Sequence, residues 1–372
     1  GSFIALLICL FFWVLLGLKT IPFLFIILFI GLRFIYTVTE RLTAYRIFIF
    51  YRSKGYNTKH VIVIADAHSD RFIEKLLVTK EWGFNVKYIL SDSEQIHNKF
   101  SGRINVLQEE ASLKCLLDFD VVDEVIYCKK KIDDDYFRKV IHNCEEVGVR
   151  FRIQSSLSPM EPAKLQLQTV HMRPQVQLID SRVGRIEPFL KNISDIVFSF
   201  IALVFLAPIF ILIAFLIKID SRGPVFFMQE RIGYRGRKFK LIKFRTMVRN
   251  AESVRHLLDK QNEADGPTFK IKNDPRITKF GKILRKSGLD ELPQLINVLV
   301  GVMSLIGPRP PLEKEVLQYE RWQLRRLSVK PGITCTWQVQ DNRNNVSFDK
   351  WMKLDLQYID NWTFSEDIKL MF

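Results

Sequence analysis

Residues 196–217 read IVFSFIALVFLAPIFILIAFLI, an apolar run interrupted by the pair Ala207-Pro208. The run is long enough to cross a bilayer, which takes about 20 apolar residues. A proline in the middle of a regular helix deletes one backbone hydrogen bond and clashes one turn back, at a cost of roughly 3 kcal/mol. An ordinary span that tolerates its proline is the simplest reading, and the flanking charge opposes it. Arg173, Arg182, Arg185 and Lys191 precede the run, and Lys218, Arg222, Arg231, Arg235 and Arg237 follow it. Basic flanks stay on the cytoplasmic side. A re-entrant helix over 192–218 that enters the membrane, bends at Ala207-Pro208 and returns satisfies both flanks. It leaves the carbonyl near Val204 in need of a partner, either Ser199 or a group on a neighbouring element.

On the N-terminal side, residues 157–188 form a linker carrying Pro159, Pro162, Pro174 and Pro188. Before it lies a pattern of alternating strands and helices over 58–156. Val61–Ile64, Val86–Leu90, Glu124–Cys128 and Arg150–Ile153 read as strands, and Asp70–Lys80 and Asp134–Val147 as helices. That alternation predicts a parallel, Rossmann-like α/β domain. A dinucleotide site would place G-x-G-x-x-G after the first strand. The chain has Ala65-Asp66-Ala67-His68-Ser69 there, without the glycines and with an acid that repels a pyrophosphate. His68 reads as a loop residue.

Residues 1–36 are apolar except at Lys19-Thr20 and Pro22, which predicts two antiparallel transmembrane helices. No basic start or small-residue cleavage site marks a signal peptide. Residues 37–57 continue as an amphipathic connecting helix. Arg33, Arg41, Arg46, Arg52 and Lys54 place its side of the membrane in the cytoplasm. Gly1-Ser2 reads as a cloning scar and Ile368–Phe372 stop within an apolar pattern, so the natural protein is expected to extend further at both ends. The fold class expected is an α/β membrane protein. A net charge of +15 with 48% hydrophobic residues points to an anionic partner. Nucleic acid fits the charge and accounts for neither apolar segment. Membrane lipid and a phosphorylated substrate account for both. Five scattered cysteines without C-x-x-C argue against a disulfide framework or a zinc site.

Downstream of the apolar run, Val225–Phe227 and Phe239–Phe244 form a hairpin turning at Gly233–Gly236. Lys243 and Arg245 stand at its end, where the chain is read as passing into a helix that includes Asn250 and Glu252. Lys279–Lys286 is a helix closed by Gly288, and Pro293 fixes the start of another near Asp290. Asp290 and Glu291 are adjacent, so on a helix they point about 100° apart and favour divided roles. Each alone could simply complement a helix dipole. Together with Arg285 and Arg309 they suit a divalent metal and a phosphate.

These stretches resemble the bacterial sugar transferases, the monotopic polyprenyl-phosphate phosphoglycosyl transferases. The matching pieces are Lys243-Phe244-Arg245-Thr246-Met247, Asp274-Pro275-Arg276-Ile277-Thr278, Leu284-Arg285-Lys286, Leu289–Gln294, Met303–Pro310 and Lys330–Thr334, all within a domain over 189–372. The resemblance implies transfer of a sugar-1-phosphate, glucose or galactose by analogy, from a UDP-sugar to undecaprenyl phosphate with release of UMP. Surface polysaccharide synthesis would start there, on the cytoplasmic face of the bacterial inner membrane. It implies Asp290 as nucleophile, Glu291 with Asp290 as ligands of Mg2+, and Lys243, Arg245, Arg285, Arg309 and Arg343 as phosphate-binding residues. The family's Gly-Arg-Asn after the tryptophan becomes Asp341-Asn342-Arg343-Asn344 here, an altered loop. A catalytically silent membrane scaffold for glycan-assembly enzymes is the alternative from another class. An α/β domain without an evident ligand also suggests a homodimer platform.

Overall fold

A computed structural model of the chain describes residues 23–55, 58–154 apart from 131, 186–251, 273–339 and 346–371, with scattered positions between 252 and 272. The expected first transmembrane helix, most of the linker and Arg343 lie outside the described residues. A first helix, α1 (Phe23–Ser53), runs without interruption through both the second apolar segment and the segment expected to be a separate connecting helix. No break falls at residue 36, because nothing between Ile35 and Thr39 stops a helix: the Thr37 and Thr39 hydroxyls bond back to carbonyls one turn earlier. A pair of N-terminal spans is therefore not established.

The α/β domain follows as β1 (Lys59–Ile64), α2 (Asp70–Val78), β2 (Phe84–Leu90), α3 (Glu94–Phe100), β3 (Asn105–Leu107), α4 (Glu109–Phe119), β4 (Glu124–Tyr127), α5 (Asp134–Glu146) and β5 (Arg150–Ile153). All pairings are parallel in the order β3-β2-β1-β4-β5. Burial on both faces explains the unbroken apolar run of β1. Val61 and Val63 pack with Ile73 and Leu76 of α2 and Ile96 of α3, whereas Ile62 and Ile64 pack with Leu113 and Leu117 of α4 and Val140 of α5. The sequence reading omitted β3, α3 and α4. In the turn after β1, Asp66 accepts hydrogen bonds from the Lys130 and His68 amides and the Ser69 hydroxyl. Its carboxylate thus occupies the place where a pyrophosphate would meet bare backbone, and His68 lies in that turn, as expected.

The C-terminal domain begins with α6 (Ile186–Asp220), a single helix that contains Pro208. It is the one described helix long and apolar enough to cross a membrane. The reversal expected at Pro208 is not a break in the helix. Ser199 is buried with its hydroxyl unpaired among the described residues, so it does not take the freed carbonyl. What the structure preserves is the placement of the ends, since both are fastened to the same domain. Near the start, Lys191 pairs with Asp367 and donates to the Ile306 carbonyl, and Asp195 accepts from the Ser304 hydroxyl (2.7 Å) and the Leu305 amide. Near the finish, Ile213 and Ile217 pack on Phe244 and Leu284, and Asp220 accepts from the Phe280 amide. The opposite face presents Phe205 (78% exposed), Ile211 (72%) and Phe215 (62%).

The hairpin of β6 (Phe226–Ile232) and β7 (Lys238–Phe244) is antiparallel, as expected, and pairs Phe226 with Phe244 and Ile232 with Lys238. After it come α7 (Lys279–Ser287), α8 (Gln294–Leu299), β8 (Ser304–Ile306), α9 (Glu313–Val316), α10 (Arg321–Leu324), β9 (Gly332–Thr334), α11 (Phe348–Asp360) and α12 (Phe364–Met371). Beyond β7 the described residues up to Ala251 are not helical: Met247 bridges Ile277 and residues 249–251 are turn, while Glu252 of the expected helix lies outside the described residues. The hairpin tip reaches the α/β domain. Arg237 grips both oxygens of Asp123 (2.8 and 2.6 Å), and Arg235, held at φ 58°, donates to the Gly148 carbonyl. Arg321 adds Asp118, Asn143 and Glu146.

Candidate active site

Three local devices build the site. The first is the corner after β7. Asp274 and Arg276 form a buried two-pronged ion pair (Nε–Oδ1 2.9 Å, Nη2–Oδ2 2.6 Å), and Arg276 also donates to the Ala251 carbonyl. Thr278 caps α7 by accepting from the Gly281 amide, and its own amide bonds the Thr246 carbonyl. Asp274–Thr278 is therefore a brace that fixes where α7 starts. The second device is Asn297 of α8, which accepts from the Ile242 amide and donates to the Lys240 carbonyl. It satisfies the free edge of β7 as a neighbouring strand would, and so sets Lys243 opposite Glu291.

The third is the end of α7. Gly288 takes φ 72°, the left-handed value that closes helices and favours glycine. The chain then makes a tight 3-10 turn, Leu289–Glu291, before α8. Asp290 thus precedes the helix expected to begin at it, and Pro293 sits at the N-cap, because the turn at Gly288 must be completed before α-helical bonding resumes.

Lys243 Nζ bonds Glu291 Oε1 at 2.5 Å, with the side chains 20% and 28% exposed. Asp290 is 9% exposed beside them. A small cavity is lined by Lys243, Glu291, Gln294, Arg309, Arg231 and Gln338, among others. Burial pushes the Asp290 carboxyl above the ordinary carboxylate range; Lys243 opposes the rise and Glu291 adds to it. Burial also acts to raise Glu291, but the bonded Lys243, the charge of Arg309 and a hydrogen bond from Gln294 together leave it below the ordinary value. Neighbouring acids are thereby split in character. Arg285 donates to the Thr246 hydroxyl (2.9 Å) and feels the charges of Asp290 and Asp274.

Lys243, Arg285, Arg309, Asp290 and Glu291 are thus brought together. Arg245 is not. Its Nη2 bonds the carbonyl and hydroxyl of Ser221, at the exit of α6, where a Cβ on Gly223 would lie 2.0 Å from Nη1. Strand alternation would put residues 243 and 245 on one face, but β7 ends at Phe244 and the alternation ends with it. Ala207 and Pro208 are exposed on α6. Sequence reading missed Arg231, Gln338 and Asn297. The only signal for them was their position in or beside the hairpin and the quoted motifs.

Asp290 and Glu291 offer hard oxygen donors, and no cluster of three or more acidic, His or Cys ligands occurs among the described residues. That set fits Mg2+, which uses one or two carboxylates and completes its shell with substrate phosphates.

Comparison with known proteins places the chain in a family. A family model described as bacterial sugar transferase matches residues 186–372. The chain is 45% identical over 181 residues to the galactosyl transferase CpsE of Streptococcus agalactiae, a match covering 49% of this chain and 40% of that protein. It is 32% identical over 329 residues to a UDP-galactose-lipid carrier transferase of Erwinia amylovora, covering 86% of this chain and 68% of the relative. It is 30% identical over 334 residues to a UDP-glucose:undecaprenyl-phosphate glucose-1-phosphate transferase of Escherichia coli, covering 86% and 68%. With half of its length inside the family model, and with braces, acids and arginines converging where that model lies, the chain belongs to the bacterial sugar transferase family.

Proposed function

We propose that the protein transfers a sugar-1-phosphate from a UDP-sugar, UDP-galactose or UDP-glucose, to undecaprenyl phosphate and releases UMP, as the first step in building a surface polysaccharide. The observation that carries this reading is the convergence of Asp290, Glu291, Lys243 and Arg309 beside an apolar helix whose outer face is bare. An Asp290 oxygen attacks the sugar-linked phosphorus of the donor, the bridging P–O bond breaks, and UMP leaves with the bridging oxygen. An oxygen of undecaprenyl phosphate then attacks the same phosphorus and frees Asp290. The two-step route lets a soluble donor and a lipid acceptor use one nucleophile in turn. Lys243, Arg285 and Arg309 hold phosphate oxygens, since such transfers need charge neutralisation and alignment above all. Mg2+ held by Asp290 and Glu291 would supply further charge neutralisation at the diphosphate. Arg343, in the altered loop, is assigned to phosphate by resemblance.

The fastening of both ends of α6 to one domain supports a helix lying in one leaflet and returning to the cytoplasmic face of the bacterial inner membrane. The α/β domain is proposed as the platform of a homodimer, which a monomeric mass in detergent would oppose. The test of the activity is UMP release from a panel of UDP-sugars with polyprenyl phosphate and Mg2+. Asp290→Asn should abolish release, and a variant as active as the unmodified chain would end the nucleophile assignment.

A further inference from the structure

Arg309 belongs to a strap, Gly307-Pro308-Arg309-Pro310-Pro311, in which three prolines lack the amide that normally anchors a backbone. The strap can be held only through its carbonyls and the few remaining amides. Four consecutive carbonyls are in fact taken from outside: Pro308 by the Gly332 amide (2.9 Å), Arg309 by Arg326 Nη2 (2.6 Å), Pro310 by Arg231 Nη1 (3.1 Å) and Pro311 by the Ile232 amide (2.9 Å). The carbonyl of the phosphate-holding residue itself thus depends on one guanidinium. Arg326 Nε lies 2.7 Å from Asp355 Oδ2, with both side chains 1% exposed, and Nη1 donates to the Tyr319 hydroxyl (3.0 Å). Its guanidinium carbon also stands 4.9 Å from the centre of the Trp351 ring. Its charge is committed to Asp355, so it has no need of substrate.

We infer that Arg326, oriented by Asp355, is a positioning residue that sets the Arg309 side chain for the donor's phosphates. The inference rests on the proposed phosphate role of Arg309. It assigns to α11 a duty in the site although no residue of α11 lines the cavity described above. A fork is required there, since lysine could not hold Asp355, Tyr319 and the strap carbonyl in one plane.

The test uses the full chain in membranes. Arg326→Met with Asp355→Leu removes both charges together, which spares the fold the cost of a lone buried ion, and thermal unfolding checks that it does. Displacement of a positioned group by about 1 Å costs on the order of 100-fold. The loss is expected in kcat/KM for the UDP-sugar, with the KM for polyprenyl phosphate unchanged. In an Arg309→Ala chain (or Arg309→Lys, should the first be too slow to assay) the same double substitution should add little, because the residue it positions is gone. Equal losses in both backgrounds, or no loss in either, overturn the inference and leave the phosphate role of Arg309 standing. An Arg309→Ala chain of full activity overturns that role and the inference with it. Should the double variant fail to fold, Arg326→Lys carries the same comparison.

Discussion

Gly281 offers a prediction in which two physical effects have opposite signs. It lies buried in the first turn of α7, and a methyl group there would stand 2.1 Å from the Thr246 carbonyl oxygen and 2.8 Å from Thr278 Oγ1. Helix propensity alone says that Gly281→Ala stabilises, by about 1 kcal/mol. Packing says otherwise. Non-bonded heavy atoms settle near 3.5–4.0 Å, so α7 or the Thr246 corner must retreat by about 1 Å or more. Overpacking of this kind costs roughly 1–3 kcal/mol. The retreat also strains the bonds from the Thr278 amide and Arg285 Nε to Thr246, each worth about 1 kcal/mol. A net destabilisation of about 1–3 kcal/mol is expected after the propensity gain is subtracted. Because α7 runs directly into the Leu289–Glu291 turn, its displacement moves Asp290, and a shift of that size costs on the order of 100-fold in rate. Thermal unfolding and UMP release measure the two effects, with Lys282→Ala on the exposed side as the control. An alanine variant at least as stable and as active as the unmodified chain would refute the account of this corner.

Lys243→Met should lower UMP release by 100-fold or more, the scale of losing one preorganised charge on a reacting group. It should cost only about 1–2 kcal/mol of stability, since the pair with Glu291 is partly screened by solvent; unchanged turnover would remove Lys243 from the site. The Arg276 hydrogen bonds hold the Asp274 carboxyl below its ordinary range, against the effect of burial. The stability this contributes is complete above about pH 4, the unfolded value, and is lost as the pH falls through the lowered folded value. The melting temperature of the unmodified chain should therefore fall more steeply below pH 4 than that of Asp274→Asn, and equal slopes would count against the brace. Single cysteines at Asn192 and Lys218, in a background without the native ones, should react with an impermeant maleimide from the same side of the membrane. Reaction from opposite sides would mean that α6 crosses.

The parts legible in the sequence are those in which one physical signal dominates. β1 announced itself because both its faces are buried, and α7 because the turn ending at Thr278 and the glycine at 288 bound it. β3 was missed because three residues, one of them the exposed Asn105, carry no periodicity. The acids and Lys243 stood out through the resemblance of their motifs to the family, since charge at a strand end or a helix start alone has an ordinary explanation. Arg245 looks equivalent to Lys243 in the sequence until the strand is known to stop at Phe244, and the partner the structure gives it, Ser221, is 24 residues away in the chain. Asn297 was invisible because its partners are backbone atoms, and Arg326 because it joins a backbone carbonyl to Asp355, 29 residues further on; neither leaves a mark in composition. Only the run of prolines at 308, 310 and 311 hinted that some outside group would have to hold that strap.

The attachments of α6 link the membrane to the chemistry. Its exit is held by Arg245, which bonds Ser221, and by Asp220, which accepts from the Phe280 amide of α7; both contacts adjoin the Thr246 corner that orders Arg285 and, through α7, Asp290. Its entry is held at β8 by Asp195, one strand away from the Arg309 strap. On the proposed function, a change in how the helix sits in a membrane would therefore reach Asp290 from one end and the Arg309 strap from the other. If α6 sets the height of the site above the headgroups, shortening its bare face by Phe205→Ser and Ile211→Ser should lower turnover with polyprenyl phosphate in membranes. The same variant, given a short soluble polyprenyl phosphate in detergent, should keep its activity. Equal losses with both acceptors would mean that the substitutions damage the fold rather than the seating of the helix.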